Sequence, residues 1–483
     1  MARTSFYWHD YETFGADPSR DRPVQFAGLR TDENFNPLGE PLVIFCRPAN
    51  DYLPHPQACL ITGISPQRAL KEGLPEAEFI RRIHEELSLP GTCGVGYNSL
   101  RFDDEVTRYT LYRNFYDPYA REWQNGNSRW DIIDMVRATC ALRPEGINWP
   151  LREDGLPSFR LEELTAANGI SHEAAHDALS DVHATIALAR LVRERQPRLY
   201  DYVLNSRDKR SALAMLDVAA MKPVLHVSGM FGAQRHNIAL IVPLAAHPVN
   251  RNEIICYDLS VDPQPLFELQ PDELQQLLYT RSEALPEGTE RPGLKSVHIN
   301  RCPILVTAKM ADPATAERLG ISGETCRRHL SALREFRARD EKAFSGKVQA
   351  AVSGREFAEV TDPDRMLYSG GFFQDPDKRT MDRLRASSPQ ELADASFAFE
   401  DSRLDEMLFR YRARNYPESL TPEEMALWEE YRFHRLTDPE AGAGLCMDEY
   451  QEMLEEMLGD DSISAERRAL LEQLLEYGDS LLA

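Results

Sequence analysis

The spacing of hydrophobic positions changes twice along the chain. Over roughly the first 200 residues, short apolar runs alternate with segments of three- and four-residue periodicity, which predicts an α/β domain of mixed strands and flanking helices. One helix is expected to end at Leu87, and the last to run from near His176 to about Arg195. The predicted strands are Ser5–His9, Pro23–Thr31, Pro41–Cys46 and Cys93–Tyr97.

Beyond Pro197 the apolar runs are short, rich in β-branched residues and separated by Pro, Gly and Asn, which predicts a β-rich domain with helical insertions. From about residue 352 onward, Leu, Met, Glu and Arg at three- and four-residue spacing predict a helical domain. We therefore expect domains over 1–198, 199–350 and 351–483. The strands predicted for the second domain are Val224–Ser228, Ile238–Leu244, Glu253–Leu259, Leu294–Ile299 and Ile304–Thr307.

Charge is distributed unevenly over the 483 residues. The chain has 55 Lys+Arg against 78 Asp+Glu, a formal net charge of −23, and residues 401–483 hold 8 basic and 21 acidic residues. This balance disfavours a coat protein of duplex DNA, but it allows an enzyme that threads one strand through a local basic cleft. Hydrophobic residues at 42% and charged residues at 28% are typical of a folded globular protein.

The location of the protein is predicted from its apolar runs and its cysteines. No stretch approaches the ~20 consecutive apolar residues of a membrane span, and the N-terminus, where Arg3 is followed by Asp10, does not resemble a signal peptide. The eight cysteines lie far apart, without a CxxC pair. We expect free thiols in a reducing cytosol, and hence a cytoplasmic protein that does not associate with membranes.

Candidate chemistry begins with Asp10 and Glu12 at the end of the first strand. Residues two apart on a strand point to the same face, so both carboxylates can reach one point in space. Asp103 follows the strand CGVGY and precedes Asp104 and Glu105. Taken alone, each group has a simpler interpretation: solvated carboxylates in the first case, and acids at a helix N-terminus in the second.

A third element, His176 to Asp181, opens the last helix. Five residues apart on one helix, the two side chains would diverge by about 140°. We therefore expect His176 in the preceding loop, Asp177 near the helix cap and Asp181 one turn into the helix. His183 is out of register with this site and is expected on the helix surface.

In order, these elements resemble the three motifs of the DEDDh (DnaQ-like) 3′→5′ exonuclease superfamily: DxE, then Asn-x3-Phe-Asp ending at Asp103, then His-x4-Asp ending at Asp181. Phosphodiester hydrolysis with two Mg²⁺ about 4 Å apart needs several oxygen ligands at one site. His176 is suited to deprotonate the attacking water, since imidazole has a reference pKa of about 6.5. The expected metal ligands are Asp10, Glu12, Asp103 and Asp181.

Longer phrases resemble bacterial exonuclease I over essentially the whole chain, among them HDYETFG, DRPVQFAGLRTD, NSRWDIIDMVRA, LPSFRLEEL and MKPVLHVSGMFGA. The resemblance implies an α/β, DnaQ-like (ribonuclease H-like) mixed-sheet exonuclease domain, an SH3-like β-domain and a C-terminal helical domain, closed into a clamp around single-stranded DNA. It implies an Mg²⁺-dependent hydrolase, with Mn²⁺ as a substitute, that degrades single-stranded DNA processively from the 3′ end to 5′-mononucleotides in DNA repair and recombination. We expect a monomer.

Residues 101–130 interleave eight aromatic residues with five arginines. This pattern suits a single strand, because every base offers a face for stacking and every linkage a charge. It fits equally well an amphipathic helix that buries positions 109, 112, 116, 119 and 123. The family resemblance assigns substrate contacts to Glu12, Arg108, Tyr119, Trp123 and Arg137, and a phosphate contact at the active site to Arg160.

The resemblance also implies a docking site for a protein partner. Family members bind the acidic, Phe-ended C-terminal tail of single-stranded DNA-binding protein, and a basic pocket suits a carboxylate terminus. The chain departs from the family pattern at Thr307, where a glutamine is expected, and at Gln234, where a tryptophan is expected. The residues that match the pocket are Arg143, Tyr202, Lys222 and Arg334.

Two other functions use the same features. A DEDDh exoribonuclease of the oligoribonuclease type would share the chemistry, but such enzymes are usually a lone domain of about 180 residues, and this chain has about 300 more. A non-catalytic module that recruits partners through its acidic C-terminal helices would have no need of four carboxylates and His176.

Overall fold

The computed structural model describes residues 4–172, 176–286, 288, 290–354, 359–442 and 444–482. The chain forms two compact units, each discontinuous in sequence. The first unit contains Met1–Arg129, His172–Ile186 and Ala358–Ala483. The second contains Trp130–Ser171 and Ala187–Phe357.

The described residues contain two five-stranded sheets. The first has the strand order β3-β2-β1-β4-β5, and the second β10-β6-β7-β8-β9. The strands of the first sheet are β1 (Ser5–Thr13), β2 (Pro23–Thr31), β3 (Leu42–Phe45), β4 (Thr92–Gly96) and β5 (Ser128–Asp131). Those of the second are β6 (Val224–Val227), β7 (Ile238–Ala246), β8 (Glu253–Asp258), β9 (Leu294–His298) and β10 (Ile304–Thr307).

Helices account for most of the remaining structure. In chain order they are α1 (Pro56–Thr62), α2 (Pro66–Glu72), α3 (Glu76–Leu87), α4 (Asp103–Arg113), α5 (Ile133–Leu142), α6 (Leu161–Ala167), α7 (Ala178–Arg195), α8 (Pro197–Ser206), α9 (Lys209–Met215), α10 (Gln264–Glu268), α11 (Pro271–Tyr279), α12 (Pro313–Arg318), α13 (Gly323–Arg339), α14 (Glu341–Ser353), α15 (Asp375–Ala386), α16 (Pro389–Asp394), α17 (Arg403–Asn415), α18 (Pro422–Thr437), α19 (Met447–Leu458) and α20 (Ala465–Leu482). None of these helices combines the length and apolar character needed to cross a bilayer.

The first sheet is mixed, as predicted. Strand β1 pairs antiparallel with β2 and parallel with β4. The predicted first strand, Ser5–His9, is too short, because the ladder with β2 continues through Tyr11↔Phe26 and Glu12↔Gln25. Asp10 and Glu12 therefore lie within the last four residues of β1, held by strand pairing.

Local sequence signals account for the helix boundaries. At the start of α18, Thr421 and Glu424 form a reciprocal capping box: the Glu424 amide donates to Thr421 Oγ1 at 3.2 Å, and the Thr421 amide donates to Glu424 Oε2 at 2.9 Å. Pro422 occupies the first helical position, where no backbone N–H is required. The same reasoning explains Pro197 at the first position of α8, immediately after α7 ends.

The first unit has an aromatic core beside its sheet. The Tyr11 and Phe26 ring centroids are 4.8 Å apart, and Phe26 lies 6.5 Å from Phe79 of α3. A separate hydrophobic cluster joins the start of the chain to its C-terminal helices. Full burial of each large apolar side chain in such a cluster contributes roughly 1.5–3 kcal/mol to the stability of the fold. The cluster includes Phe14, Tyr52, Leu436, Tyr450 and Leu474.

A buried ion-pair network also joins the start of the first unit to its C-terminal helices. Arg414 Nη2 lies 2.7 Å from Asp51 Oδ2, and its Nη1 lies 2.7 Å from Asp364 Oδ2. Arg435 is a second cation beside Asp51, at 3.5 Å. Although burial works against the charged form, Arg414 and Arg435 hold the pKa of the Asp51 carboxyl well below its usual range.

The second unit is built on an antiparallel sheet with helical insertions, as predicted. All five predicted strands are present, with ends within two residues of those expected. One core cluster lies between this sheet and the helices α10, α11, α13 and α14. It includes Val242, Tyr257, Leu274, Leu333 and Phe344. From residue 359 onward the described residues contain helices and no strand, which agrees with the predicted helical C-terminal domain.

Candidate active site

Strand β1 carries the first two candidate carboxylates. Asp10 and Glu12 are two residues apart and so point to the same side of the strand. The register shifts immediately after Glu12, where Thr13 pairs with Pro23. This irregularity ends the regular ladder beside the carboxylates, as is common next to active sites.

Asp103 reaches the same place from the start of α4. The turn after β4 is tight: a Cβ at Gly96 would lie 2.5 Å from the Ser99 Cβ, and Asn98 adopts a left-handed φ of 60°. The chain then enters α4, and the Asp103 Oδ1 accepts a 3.0 Å hydrogen bond from the Tyr11 amide. Since Tyr11 lies between Asp10 and Glu12, this bond holds the third carboxylate against the first two.

The two acids that follow Asp103 do not join this group. Asp104 is buried against Arg121 at 2.5 Å and Arg129 at 3.3 Å. Burial opposes its charged form, but these arginines hold the pKa of Asp104 below its usual range. Glu105 pairs with Arg108 at 2.7 Å. The three adjacent acids thus avoid mutual repulsion by having separate partners.

Helix α7 supplies the fourth carboxylate as predicted. His176 lies in the preceding loop with a left-handed φ of 66°, and Asp181 occupies the first turn of the helix. Asp177 caps the helix by accepting from the Ser180 amide at 3.2 Å. His183 is exposed on the helix surface, also as predicted.

Burial and repulsion perturb the carboxylates of this cluster. The pKa of Glu12 is raised to about 9 by burial and by the negative charges of Asp181 and Asp103. Burial, Asp103 and Glu12 raise the pKa of Asp10 well above its usual range, and burial raises that of Asp181. Such a cluster is stabilised by cations, and ligand atoms of Glu12, His176 and Asp181 lie within 4.8 Å of one another.

Two further residues that contact this site, His172 and Gln25, were not predicted from the sequence. His172 Nε2 lies 2.5 Å from Asp181 Oδ1. Gln25 on β2 donates to Asp177 Oδ1 at 3.2 Å and accepts from the Ala178 amide at 3.4 Å. The only sequence signal for His172 is its spacing, four residues before His176 and nine before Asp181.

The aromatic and arginine-rich stretch does not form one continuous helix. Helix α4 ends at Arg113, so the predicted amphipathic helix through position 123 is wrong beyond that point. Tyr109 and Tyr112 are buried, Tyr119 is half-buried, and Trp123 is 65% exposed. The exposed indole leaves Trp123 accessible for stacking, while the two buried rings belong to the core.

The predicted DNA-contacting arginines lie in different environments. Arg108 is buried and pairs with Glu105 and Glu122, at 2.7 Å each, with its guanidinium 5.2 Å from the Tyr119 ring centroid. Arg137 and Arg160 belong to the second unit. The Arg160 side chain is 74% exposed immediately before α6, and the half-buried Arg137 pairs with Asp134 at 2.7 Å.

Exposed aromatic rings from the C-terminal part of the first unit adjoin Tyr119. The ring centroid of Tyr119 lies 6.5 Å from that of Tyr368 and 6.1 Å from that of Phe372. Tyr368 is 56% exposed and Phe372 78% exposed. We call Tyr119, Tyr368 and Phe372 the aromatic platform. Its C-terminal members were missed from the sequence because they lie in an irregular segment without periodicity.

The four residues predicted to hold a protein tail all belong to the second unit. The Tyr202 hydroxyl donates to the Leu305 carbonyl at 2.8 Å, and Arg143 donates to the Met310 carbonyl at 3.3 Å, so both contact the segment around Thr307. Strand β6 pairs with β10 so that Val224, two residues after Lys222, lies opposite Thr307. Arg334 donates to the Met221 carbonyl at 3.0 Å, next to Lys222.

Comparison with protein families supports the predicted order of domains. Family profiles described as Exonuclease, Exonuclease I SH3-like domain and Exonuclease I C-terminal domain match residues 7–189, 207–348 and 361–481. The α/β fold class and the sequence of three domains are thereby confirmed. The boundaries at 198 and 350 remain predictions.

Individual relatives are similar over the full length. Exodeoxyribonuclease I of Escherichia coli (strain K12) is 49% identical over 480 residues, which cover 99% of this chain and 98% of the relative. The structure of a moderately thermophilic exonuclease I from Methylocaldum szegediense has a TM-score of 0.94 and 53% identity, covering 99% of this chain and 100% of that one. The zinc-bound E. coli exonuclease I in complex with single-stranded DNA has a TM-score of 0.93 and 48% identity, with 100% of both chains covered.

Proposed function

The chain belongs to the exonuclease I family and is a metal-dependent exonuclease of single-stranded DNA, and we propose that it acts processively from the 3′ end through Asp10, Glu12, Asp103 and Asp181. The observation that carries the assignment of these residues is the hydrogen bond from the Tyr11 amide to Asp103, which joins two of the three motifs. The products are 5′-mononucleotides.

The donor set fits divalent cations. Hard oxygen ligands predominate, and their pKa values are raised by burial and by mutual repulsion, which a bound cation relieves. We assign two Mg²⁺ to the four carboxylates, with Mn²⁺ as a substitute. When bound, such ions supply Lewis-acid activation of water and neutralise charge at the leaving 3′ oxygen.

His176 is the proposed general base. Its imidazole is exposed in the loop before α7, so it can reach a water molecule that enters from solvent. Proton transfer by a positioned imidazole contributes about 10²–10⁴-fold to rate. The left-handed backbone at His176 turns this side chain toward the same carboxylates that α7 and β1 supply.

The remaining side chains are assigned to the substrate. Glu12 contacts the terminal nucleotide, and Arg160 contacts a phosphate of the substrate. Trp123 and the aromatic platform offer faces on which bases of a single strand stack, and basic side chains follow the backbone. Arg108 acts at this surface mainly by anchoring Tyr119 and Tyr368, since it donates to the Tyr368 hydroxyl at 2.9 Å. Arg137 is assigned to the DNA path in the second unit.

We further propose a protein partner. Arg143, Tyr202, Lys222 and Arg334 form a site for the acidic, Phe-ended tail of single-stranded DNA-binding protein, supported by their common location around β6 and β10. Thr307 in place of glutamine removes one amide from that site. The protein is proposed to act as a cytoplasmic monomer.

The test is a time course on oligonucleotides labelled at the 5′ end, with Mg²⁺ or with EDTA. We expect metal-dependent shortening of a single DNA strand and little cutting of a blunt duplex. Asp181→Asn should abolish digestion while DNA binding survives, and Asp201→Asn, an exposed position on α8, should behave as the wild type. Faster trimming of RNA than of DNA would reassign the chain to the oligoribonuclease type. Binding without any cutting would favour the non-catalytic module.

A further inference from the structure

A second histidine reaches the metal-binding carboxylates. His172 Nε2 lies 2.5 Å from Asp181 Oδ1, and the two side chains are 5% and 16% exposed. A carboxylate oxygen accepts, so the imidazole N–H is the donor. His-x4-Asp, the third exonuclease motif, includes His176 but not His172, so the motif leaves this contact unexplained.

We propose that His172 is a positioning residue for Asp181, an inference that rests on the proposed function. A carboxylate on the first turn of a helix is free to rotate about its side-chain torsions. A hydrogen bond to one of its oxygens fixes the plane of the group and leaves the remaining lone pairs for a metal ion. Side chains that orient metal ligands in this way typically change metal affinity by about 10–100-fold when they are removed.

The two histidines before α7 then have separate tasks. His176 is exposed, and its ring nitrogen lies within 4.8 Å of ligand atoms of Glu12 and Asp181, so it can meet both solvent and the reacting groups. His172 is almost fully covered and contacts Asp181 directly. A general base must exchange protons with water, which suits the exposed imidazole. A positioning group must hold a fixed geometry, which suits the buried one.

The backbone of Asp181 is held independently of its side chain. Gln25 fixes the start of α7 by binding both Asp177 and the Ala178 amide, and the Asp181 amide donates to the Asp177 carbonyl at 3.1 Å. The Asp181 carboxylate also accepts a hydrogen bond from the His176 backbone, so loss of His172 should remove one of two groups that orient the carboxylate, without displacing the helix. This separation makes the role of His172 measurable.

The experiment uses the full-length protein without DNA and titrates Mn²⁺, followed by electron paramagnetic resonance. The variants are His172→Ala, His172→Gln, whose amide can place an N–H near the position of Nε2, and His183→Ala, the exposed histidine of α7. We expect the dissociation constant for Mn²⁺ to rise about 10–100-fold in His172→Ala and less in His172→Gln. It should be unchanged in His183→Ala. The Mg²⁺ concentration for half-maximal hydrolysis should shift in the same order, with the rate largely restored at saturating metal.

Two results would overturn the proposal. One is wild-type Mn²⁺ affinity in His172→Ala; the other is a His172→Gln variant that binds Mn²⁺ no better than His172→Ala. His172→Ala is compared only if it folds, as judged by thermal unfolding without metal. If it does not fold, the Mn²⁺ dissociation constant of His172→Gln is compared with that of the wild type, and equal values would overturn the proposal. A wild-type protein that binds Mn²⁺ but does not digest single-stranded DNA would refute the proposed function, while the titrations would still test His172.

Discussion

The backbone amide of Tyr11 donates a 3.0 Å hydrogen bond to the carboxylate of Asp103, 92 positions further along the chain. The Tyr11 hydroxyl accepts a hydrogen bond from Thr107 Oγ1 at 3.0 Å. Thr107 lies one turn after Asp103 on helix α4. Strand β1 and helix α4 are thus held together at both the main chain and the side chain of one residue. Because Asp10 and Glu12 flank Tyr11, this arrangement determines the spacing of three carboxylates.

Replacement of His176 by alanine should reduce the turnover rate by about 10²–10⁴-fold, because the proposed base is lost while the carboxylates remain. The measurement is the steady-state rate on a single-stranded oligonucleotide at saturating Mg²⁺. Because His176 is exposed, added imidazole should restore part of the activity. An unchanged rate in His176→Ala would exclude this residue as the base.

Metal binding should compete with protons at Glu12. Its pKa is raised to about 9, so at pH 7 a cation must displace a proton, and the half-saturating Mg²⁺ concentration should fall as the pH rises toward 9. The decrease is expected to approach about tenfold per pH unit for each proton displaced. Calorimetric titration at several pH values measures it.

The raised pKa of Glu12 also affects the stability of the metal-free protein. A carboxyl with a raised folded-state pKa contributes stability that is fully present below its unfolded pKa and is lost as the pH rises through about 9. Glu12→Gln should therefore flatten the decrease in Tm of the metal-free protein between pH 5 and pH 9. An equally steep decrease in this variant would contradict the assignment.

Removal of the Phe372 ring should weaken binding of single-stranded DNA. Stacking of a base on an aromatic side chain contributes about 1–3 kcal/mol, which corresponds to roughly 5- to 150-fold in affinity. Fluorescence anisotropy with a labelled oligothymidylate in EDTA would compare Phe372→Ala with Leu427→Ala, another exposed apolar residue, on α18. Equal affinities in the two variants would remove Phe372 from the DNA path.

Binding of an acidic peptide that ends in Phe should depend on the basic residues around β6 and β10. Lys222→Ala and Arg334→Ala should each weaken it by roughly fivefold, since an exposed ion pair contributes up to about 1 kcal/mol. Amidation of the peptide C-terminus is the matched control for carboxylate recognition. Peptide binding that is insensitive to both substitutions and to amidation would place the docking site elsewhere.

Replacement of Asp51 by asparagine should destabilise the first unit by about 3–5 kcal/mol, because the buried cations Arg414 and Arg435 would lose the charge of one carboxylate that both contact, and Arg414 would keep only Asp364 as an ion-pair partner. The pKa of Asp51 is depressed, so its contribution is present above the unfolded pKa and is lost as the pH falls through the folded value. Urea unfolding measures the free energy of unfolding, and the difference in this free energy between wild type and variant should be larger at pH 7 than at pH 3. A difference that does not depend on pH would refute this assignment.

Much of the fold and of the carboxylate cluster can be predicted from the sequence, because the signals for them are local. The strands have a two-residue period, and the motif positions of Asp10, Asp103 and Asp181 each lie next to a predicted strand or helix end. The contacts that escape prediction are those without a periodic signal. His172 precedes α7 in a loop, and Phe372 lies in an irregular segment that only folding brings to Tyr119.

The pair between Asp51 and Arg414 spans 363 positions of sequence. At a synthesis rate of roughly 5–20 residues per second, Arg414 follows Asp51 by about 20–70 seconds. During this interval residues 187–357, which form most of the second unit, are translated before the helices that complete the first. Asp51 therefore lacks its Arg414 partner until most of the chain has been synthesised, and the carboxylates of β1 belong to an incomplete unit until then.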